Sequence, residues 1–453
     1  MRSSRWWLAA SIALLSALPA LPSGTEIDIA TAKKLAVGLA NQGQPKAALA
    51  ILAKLAKHRA DDPEIYIALS RTHRTLGDTK QAIKDARQGF ALSQTKTHKH
   101  LTARVMAEAL ASDGQHTRAQ FWLRRAGQTA PNEVAKALVR RDYGYVRSRN
   151  PWAFSFRGSV TPTNNANDAP TSDEIVIGGN VFRDPTAQPI SGIEYVFGAT
   201  ARYRFPATVK RQSELRFSYD GRRVDLDSEA NEIDPDIENR DFSFDRVTVE
   251  WAHKFRNPDS KTKGVYDLSF GAFFDWHGGG RSQDGLRARG GYTVPVNERN
   301  TVRFGFEIED LDRRDRPIRS SNTYRASVDW FHTRASADRL NLHLSYADTN
   351  SDSSAVAHDS VRLSAQYSFS KPVMTAHISL GVDLRNSTFD NALFGPDPRD
   401  DNALGLSATA TLPGLGVYGF APVLELRRDR VFSNVPRFDK QTTQLSLSFR
   451  STY

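Results

Sequence analysis

The sequence predicts an α plus membrane all-β fold, in which helical repeats of the tetratricopeptide (TPR) type precede a 14-stranded antiparallel transmembrane β-barrel. The apolar period is 3.6 residues before Asn150-Pro151 and two residues after it. Three glycines in the first part recur at about the tetratricopeptide spacing. In the second part, long and short connections alternate between the predicted strands, which is typical of outer-membrane barrels.

Composition limits the classes of protein that remain possible. The chain has 453 residues, 39% of them hydrophobic, and a mean hydropathy of -0.50. These values exclude a polytopic helical membrane protein, because each helical span needs about 20 apolar residues. A membrane barrel remains possible, since only alternate residues of its strands face lipid. The absence of cysteine excludes disulfides, a lipid-carrying cysteine and Cys₄ metal sites.

Residues 1–24 are expected to be a secretory signal peptide. Arg2 and Arg5 precede an apolar stretch over residues 6–18, and small residues and prolines follow. The alternative is a short membrane anchor, although the apolar stretch is short for a helical span. Export also argues against nucleic acid as a partner, even though residues 25–149 carry 22 basic and 11 acidic side chains.

Residues 25–150 are predicted to form a periplasmic TPR-like helical domain. The first two repeat glycines are 34 residues apart, and the third lies 37 residues further on. Each glycine has an alanine five residues later and a small residue seven residues earlier. The three sets, each headed by its glycine, are Gly43 with Ala48 and Ala36, Gly77 with Ala82 and Ser70, and Gly114 with Ala119 and Ala107. The small residues would let paired helices approach closely; an irregular helical bundle is the alternative.

Stacked repeats of this type form a concave binding face. The predicted client-binding groove contains Arg71, Arg74 and Glu108, which lie on the first helices of their repeats. Such a groove would hold a peptide or protein. The alternative is that these three side chains are simply solvated charges.

Residues 151–453 are predicted to form the outer-membrane β-barrel. In the segment VRFGFEIE, residues 302–309, apolar and polar side chains alternate strictly, which indicates one apolar and one polar face. The connections near 164–192 and 222–240 are long, and those near 206–211 and 295–300 are short. The fourteen predicted strands are residues 152–163, 193–205, 212–221, 241–255, 264–276, 284–294, 301–309, 322–331, 339–347, 358–369, 373–384, 403–412, 417–427 and 440–453.

A set of arginines alternates with the apolar face and is therefore expected to line the barrel lumen. Such a wall could select acidic solutes, or it could be a lining in which arginines pair with Asp and Glu. The arginines are Arg157, Arg216, Arg303, Arg325, Arg362 and Arg450.

The last strand has the pattern of an assembly signal. Leu445, Leu447, Phe449 and Tyr453 share one face, and polar residues occupy the other. An alternating final strand that ends on an aromatic residue resembles the sorting signal read by the barrel assembly machinery. That machinery and outer-membrane lipid are therefore expected partners.

Motifs that would indicate catalysis are missing. The sequence has no G-x-S-x-G, H-E-x-x-H or Walker-type loop, and its histidines show no metal-ligand spacing. The glycine run 278–280 precedes no predicted helix, so it is not expected to bind phosphate. We therefore predict that the chain is not an enzyme and has no catalytic residues, metal or cofactor.

The architecture resembles the surface lipoprotein assembly modifiers, called Slam proteins. The stretch SVTPTNNANDA, residues 159–169, looks like the Pro- and Asn-rich segment of that family, and Ser191-Gly192-Ile193 opens the next strand as in the family. The resemblance implies an N-terminal tetratricopeptide domain, a 14-stranded barrel and a role in moving client lipoproteins or secreted proteins across the outer membrane.

Other functions remain open at this stage. A porin for small solutes, or an exopolysaccharide export channel, could also join a periplasmic TPR docking module to a barrel. The small number of repeats argues against polysaccharide export, and the missing catalytic motifs argue against an outer-membrane enzyme.

Overall fold

The structure is a computed structural model that describes residues 27–177, 180–184, 187–233, 235–257, 259, 262–390 and 397–452. The predicted signal peptide and Tyr453 lie outside the described residues. The chain divides into two compact units between Gly114 and Gln115, and each unit is described by itself.

The first unit consists of helices. They are α1 (Ile29–Asn41), α2 (Pro45–His58), α3 (Pro63–Thr75), α4 (Thr79–Leu92) and α5 (Lys96–Ser112). The carboxylates of Asp28, Asp62 and Asp78 accept hydrogen bonds from first-turn backbone N–H groups of α1, α3 and α4. Side chains that satisfy these otherwise unpaired donors fix where the helices begin.

The predicted helix pairs are present, and small residues lie where the paired helices meet. Gly43 and Gly77 join the pairs with φ of +79° and +83°, a conformation that favours glycine. The Ser70 hydroxyl on α3 donates to the Ala82 carbonyl on α4 at 2.8 Å. Ala36 is fully buried and belongs to a core with Leu52, among other residues.

The second unit begins with α6 (His116–Gln128) and α7 (Glu133–Arg149). The residue after α7, Asn150, donates through Nδ2 to the Thr117 hydroxyl at 3.0 Å and accepts the Trp152 N–H at 3.1 Å. Arg204 donates to the Asn150 carbonyl at 2.6 Å. Hydrogen bonds to α6, β1 and β4 therefore fix Asn150, the residue that connects α7 to the barrel.

The described residues after α7 form sixteen strands and a one-turn helix, α8 (Ala230–Ile233), which lies between β5 and β6. The strands are β1 (Trp152–Thr163), β2 (Glu174–Ile177), β3 (Asn180–Arg183), β4 (Gly192–Arg204), β5 (Arg211–Leu226), β6 (Phe244–Phe255), β7 (Val265–His277), β8 (Gly280–Asn297), β9 (Asn300–Arg313), β10 (Ser321–Thr333), β11 (Arg339–Ser351), β12 (His358–Ser368), β13 (His377–Phe389), β14 (Asp400–Thr411), β15 (Phe420–Ser433) and β16 (Lys440–Ser451).

Fourteen of these strands form a closed antiparallel barrel, in which β1 pairs with both β4 and β16. This confirms the predicted fold class, and every predicted strand corresponds to one observed strand. The small hairpin of β2 and β3 lies in the segment 164–191 and was not predicted.

Several strands are longer than predicted. Strands β5, β8 and β9 extend into polar sequence, where apolar alternation has faded but the backbone ladder continues. The predicted alternation of long and short connections is therefore weaker than expected. Only the connections 164–191 and 227–243 are much longer than the rest, and both lie at what we call the far end. The near end is the one where β1 begins after α7.

The closure between β1 and β16, called here the seam, has few paired residues. Pro162 lacks an N–H group, and continuing the register would place Arg157 opposite Arg450, a like-charge pair that weakens strand pairing. By contrast, β1 and β4 pair along the whole of β1. The pairs across the seam are Ser159 with Ser448, Val160 with Leu447, and Thr163 with Gln444.

We expect the seam to open more readily than the other strand junctions. Backbone amides of β1 and β16 should exchange hydrogen about tenfold faster than those of β10 and β11, which are paired along both edges. Hydrogen-exchange mass spectrometry on the folded protein would measure this difference.

A cross-link supplies the control, because the chain has no cysteine of its own. A disulfide between Val160→Cys and Leu447→Cys should slow exchange in β1 and β16. The matched disulfide between Leu384→Cys and Leu404→Cys joins another paired position and should leave the seam unchanged. Equal exchange in all four strands of the uncross-linked protein would contradict the expectation.

Candidate functional site

The interior lining of the barrel follows from the strand register. Along β9, Val302, Phe304 and Phe306 face outward, and Arg303 and Glu307 face inward. Apolar side chains therefore meet lipid while charged ones line the lumen. This polarity and the closed sheet are those of an outer-membrane transport barrel.

Five of the six arginines that were predicted to line the lumen lie on the inward face and contact a carboxylate. The lining that they form is ion-paired. The contacts are Arg157 with Asp220, Arg216 with Glu214 and Glu250, Arg303 with Asp267 and Asp329, Arg325 with Glu307, and Arg362 with Asp383.

Two glutamates connect these pairs into a network. Glu250 accepts hydrogen bonds from Arg216 at 2.7 Å and from Arg289 at 2.8 Å. Glu307 accepts from Arg289 at 2.6 Å and also contacts Arg325. Shared carboxylates hold the guanidinium groups in fixed positions across the strands from β5 to β10.

An aromatic residue interrupts the polar lining. Phe273 on β7 faces inward and is 1% exposed, and its neighbour Asp275 is fully buried. Arg246 donates to Asp275 at 2.7 and 2.6 Å and lies 4.5 Å from the Phe273 ring centroid. Arg287 lies over the same ring at 5.0 Å. Phe273 thus packs between two guanidinium groups.

Sequence reasoning missed this cluster, because Phe273 interrupts the expected polar alternation. One signal was present, the glycine at position 285 of the neighbouring strand. A Cβ atom at Gly285 would lie 2.1 Å from Cζ of Phe273, so only glycine leaves room for the ring.

A cavity of about 590 Å³ lies against the lumen wall formed by β8 to β13. Its charged lining residues include Arg325, Arg362 and Arg385.

At the near end, Asp338 links two turns. Its carboxylate accepts hydrogen bonds from the Ser370 N–H and hydroxyl, both at 2.8 Å, and from the hydroxyls of Tyr367 at 2.8 Å and Ser336 at 2.7 Å. The Ser370 backbone N–H, followed by the hydroxyl donors, holds the pKa of Asp338 well below its usual range.

Helix α6 is attached to the barrel at the same end. Arg124 donates to the carbonyls of Tyr418 and Gly419 at 3.2 and 3.3 Å and to the Ser451 hydroxyl at 2.9 Å. The Gln128 side-chain oxygen accepts the Tyr418 N–H at 2.8 Å. We had predicted α6 as part of a helical domain, and these contacts join it to the turn between β14 and β15.

The groove residues of the first unit lie together. Glu108 on α5 is 3.7 Å from Arg74 and 4.0 Å from Arg71, both on α3. The arginine side chains are 49% and 38% exposed for Arg71 and Arg74, respectively, so they remain accessible to a partner. The structure brings the three residues together in one exposed charged cluster.

The predicted assembly-signal residues Leu445, Leu447 and Phe449 all face outward on β16 and are exposed, whereas Tyr453 lies outside the described residues. In the glycine run, Gly278 and Gly279 form a two-residue turn with positive φ between β7 and β8.

Within the described ranges, no group of three or more His, Cys, Asp or Glu side chains is arranged to hold a metal ion. None of the helices in the described part of the chain is both long and apolar enough to cross a membrane.

No protein-family model and no curated protein matches the chain. Part of it is similar to an outer membrane channel from Pseudomonas putida F1, at 12% identity and a TM-score of 0.31, covering 65% of this chain and 93% of that one. A bacterial polysaccharide outer membrane secretin is similar at 10% identity and a TM-score of 0.34, covering 66% and 98%.

The helices are similar to the type III secretion translocator chaperone SycD of Yersinia enterocolitica, at 18% identity and a TM-score of 0.25, covering 27% of this chain and 88% of that one.

Replacing Gly285 with alanine should displace Phe273 and loosen the Arg246–Asp275 contact. We expect the barrel to lose about 1–3 kcal/mol of stability, the usual cost of overpacking. The temperature at which the folded form is lost on SDS gels would report this. Gly290→Ala on the same strand is the control, since a Cβ there meets its nearest neighbour at 3.6 Å. An equal effect of both substitutions would contradict the packing role of Gly285.

Replacing Asp338 with asparagine should lower the unfolding temperature at neutral pH. Because the folded pKa of Asp338 is depressed, its contribution is complete above the unfolded pKa and is lost as pH falls through the folded value. The variant should therefore lose less stability than the parent between about pH 4 and pH 2. Heat denaturation of the parent and the variant across this pH range measures the difference. The control is Asp352→Asn, which lies in an exposed loop. If the unfolding temperatures of the parent and of Asp338→Asn fell in parallel with pH, Asp338 would not be the carboxylate responsible.

Proposed function

We propose that the chain is an outer-membrane translocation factor that delivers client surface lipoproteins or secreted proteins across the outer membrane. The observation that carries the proposal is the presence, in one chain, of a helical unit with an exposed cluster of charged side chains and a closed barrel whose charged lumen contains a cavity. The architectural resemblance to Slam proteins supports the same function.

In this proposal the helical unit lies in the periplasm and receives the client. Outer-membrane barrels place their longer loops outside and their shorter turns in the periplasm. The longest connections, 164–191 and 227–243, lie at the far end, and β1 begins at the near end directly after α7. The near end is therefore the proposed periplasmic side. The excess of basic residues in the helices favours a client segment with negative charge.

The barrel provides the passage and contributes a polar wall that a hydrated polypeptide can contact. Its arginines are held by carboxylates, so they present hydrogen-bond donors in fixed places without a large unbalanced charge. The barrel assembly machinery is the proposed partner for insertion, reading the outward face of β16.

A second candidate is a porin or an exopolysaccharide export channel, with the helical unit as a periplasmic docking module. The lumen cavity favours this alternative, because it is large enough for a small solute. A stable open conductance without client export would support it.

The test is client exposure on intact cells. The chain is expressed with a candidate client in a bacterium that lacks related proteins, and the surface is probed with antibody and protease. We expect the client to reach the surface or medium only when the chain is present. A periplasmic client beside a folded, inserted barrel would reject the proposal.

Charge reversal in the groove tests the role of the helical unit. The variant with Arg71→Glu and Arg74→Glu should reduce client export about tenfold or more, because two groove cations become repulsive to an acidic segment. Its control is Lys54→Glu with Lys57→Glu, which changes the same charge at exposed positions on α2. Unchanged export by the groove variant would remove the helical unit from the proposal.

A further inference from the structure

The lumen has two unlike walls. Across β5 to β9, long inward side chains fill the space with ion pairs, as at Glu250 and Glu307. Across β10 to β13, most of the residues that line the cavity are small or carry hydroxyls, whereas β8 and β9 line it mainly with ion-paired side chains such as Arg289 and Glu307. We call this part the β10–β13 wall; its small lining residues are Thr323, Ser327, Ser345, Ala347, Thr349 and Ser360.

Three arginines surround the small residues of the β10–β13 wall. Ala347 on β11 pairs with Arg325 on β10 and with Ser360 on β12. One step along, Arg362 on β12 pairs with Ser345 on β11 and with Arg385 on β13. The guanidinium groups therefore stand around a floor of short side chains, and they are long enough to converge on a group that rests there.

The arginines around this floor differ in whether a carboxylate contacts them. Arg362 and Arg385 are directly opposite on neighbouring strands, where like charges destabilise the pairing. Asp383 accepts the Arg362 Nε at 2.7 Å, whereas within the described ranges Arg385 forms no ion pair. The other four arginines that line the cavity, as far as the structure describes it, all contact carboxylates, so Arg385 is the lining arginine that is left without one.

We propose that the β10–β13 wall is a binding site for an anionic group, a carboxylate or a phosphate. Guanidinium forks match the oxygens of both groups and bind them with charge-assisted hydrogen bonds. The hydroxyls of Ser345 and Ser360 supply further donors at the floor. A bound anion also removes the repulsion between Arg362 and Arg385.

This inference goes beyond the proposed translocation and does not depend on it. The anionic group can belong to a free solute or to an acidic segment of a polypeptide, and the chemistry of the site is the same. Binding by the purified protein and export by cells are separate measurements, so either can fail alone.

The experiment uses the folded full-length chain in detergent micelles and equilibrium dialysis. The probes are inorganic phosphate, an oligoglutamate peptide and an oligoserine peptide. We expect phosphate, oligoglutamate or both to bind and oligoserine not to bind. Arg385→Gln should weaken that binding about tenfold or more, because it removes charge-assisted hydrogen bonds.

Two variants control for charge. Arg450→Gln removes the same charge from an inward position away from the cavity and should leave binding nearly unchanged. Arg385→Lys keeps the charge but loses the planar fork, so it should bind more tightly than Arg385→Gln.

Folding is checked for every variant by its migration on SDS gels without heating. If Arg385→Gln does not fold, Ser360→Leu is used to test the site, because leucine fills the floor of the site without changing its charge. We expect Ser360→Leu to weaken binding to a similar extent.

The outcomes are distinct. If Arg385→Gln weakens the binding of both phosphate and oligoglutamate, the site is open to free anions. If Arg385→Gln weakens only the binding of oligoglutamate, the site takes carboxylates carried on a polypeptide. No binding of either anion by the parent protein overturns the proposal. So does equal weakening by Arg385→Gln and Arg450→Gln, which would show general attraction by the lumen instead of a site.

Discussion

Backbone hydrogen bonding in lipid is the constraint on which the barrel depends. A strand edge that met hydrocarbon would leave N–H and C=O groups without partners, at a cost of several kcal/mol each. Closing fourteen strands into a ring removes every edge, and the antiparallel register then fixes which residues face lipid and which face the lumen. The seam between β1 and β16 has the fewest paired residues, since Pro162 has no N–H group and a continued register would place Arg157 opposite Arg450.

Once the register is fixed, the interior must accommodate a large number of arginines. Most of the contacts described here are between a guanidinium and a carboxylate on a neighbouring strand, as between Arg216 and Glu250. At Phe273 an aromatic ring, and not a carboxylate, contacts the guanidinium groups of Arg246 and Arg287, and Gly285 leaves room for that ring. The cavity described above lies next to these contacts, against β8 to β13.

The strand count, the outward apolar residues and the inward position of the lumen arginines were predictable, because a period of two assigns faces without tertiary information. Strand ends were not, because a backbone ladder continues through polar residues such as those that end β9. The partners of the lumen arginines depend on registers between strands far apart in sequence, as for Arg157 and Asp220. The attachment of α6 to the turn at Tyr418 could not be predicted from local sequence patterns either, since it joins residues almost three hundred positions apart.

The central claim is that a client polypeptide passes through the lumen, and site-specific cross-linking of an arrested client tests it most directly. Because the chain lacks cysteine, a single photo-cross-linker can be attached at Ser345→Cys, which faces the lumen, or at Leu363→Cys, which faces lipid on the next strand. A client arrested during export by a tightly folded domain is predicted to cross-link from position 345 and not from position 363. Cross-linking from position 363 alone, or from neither position while export proceeds, would contradict passage through the barrel.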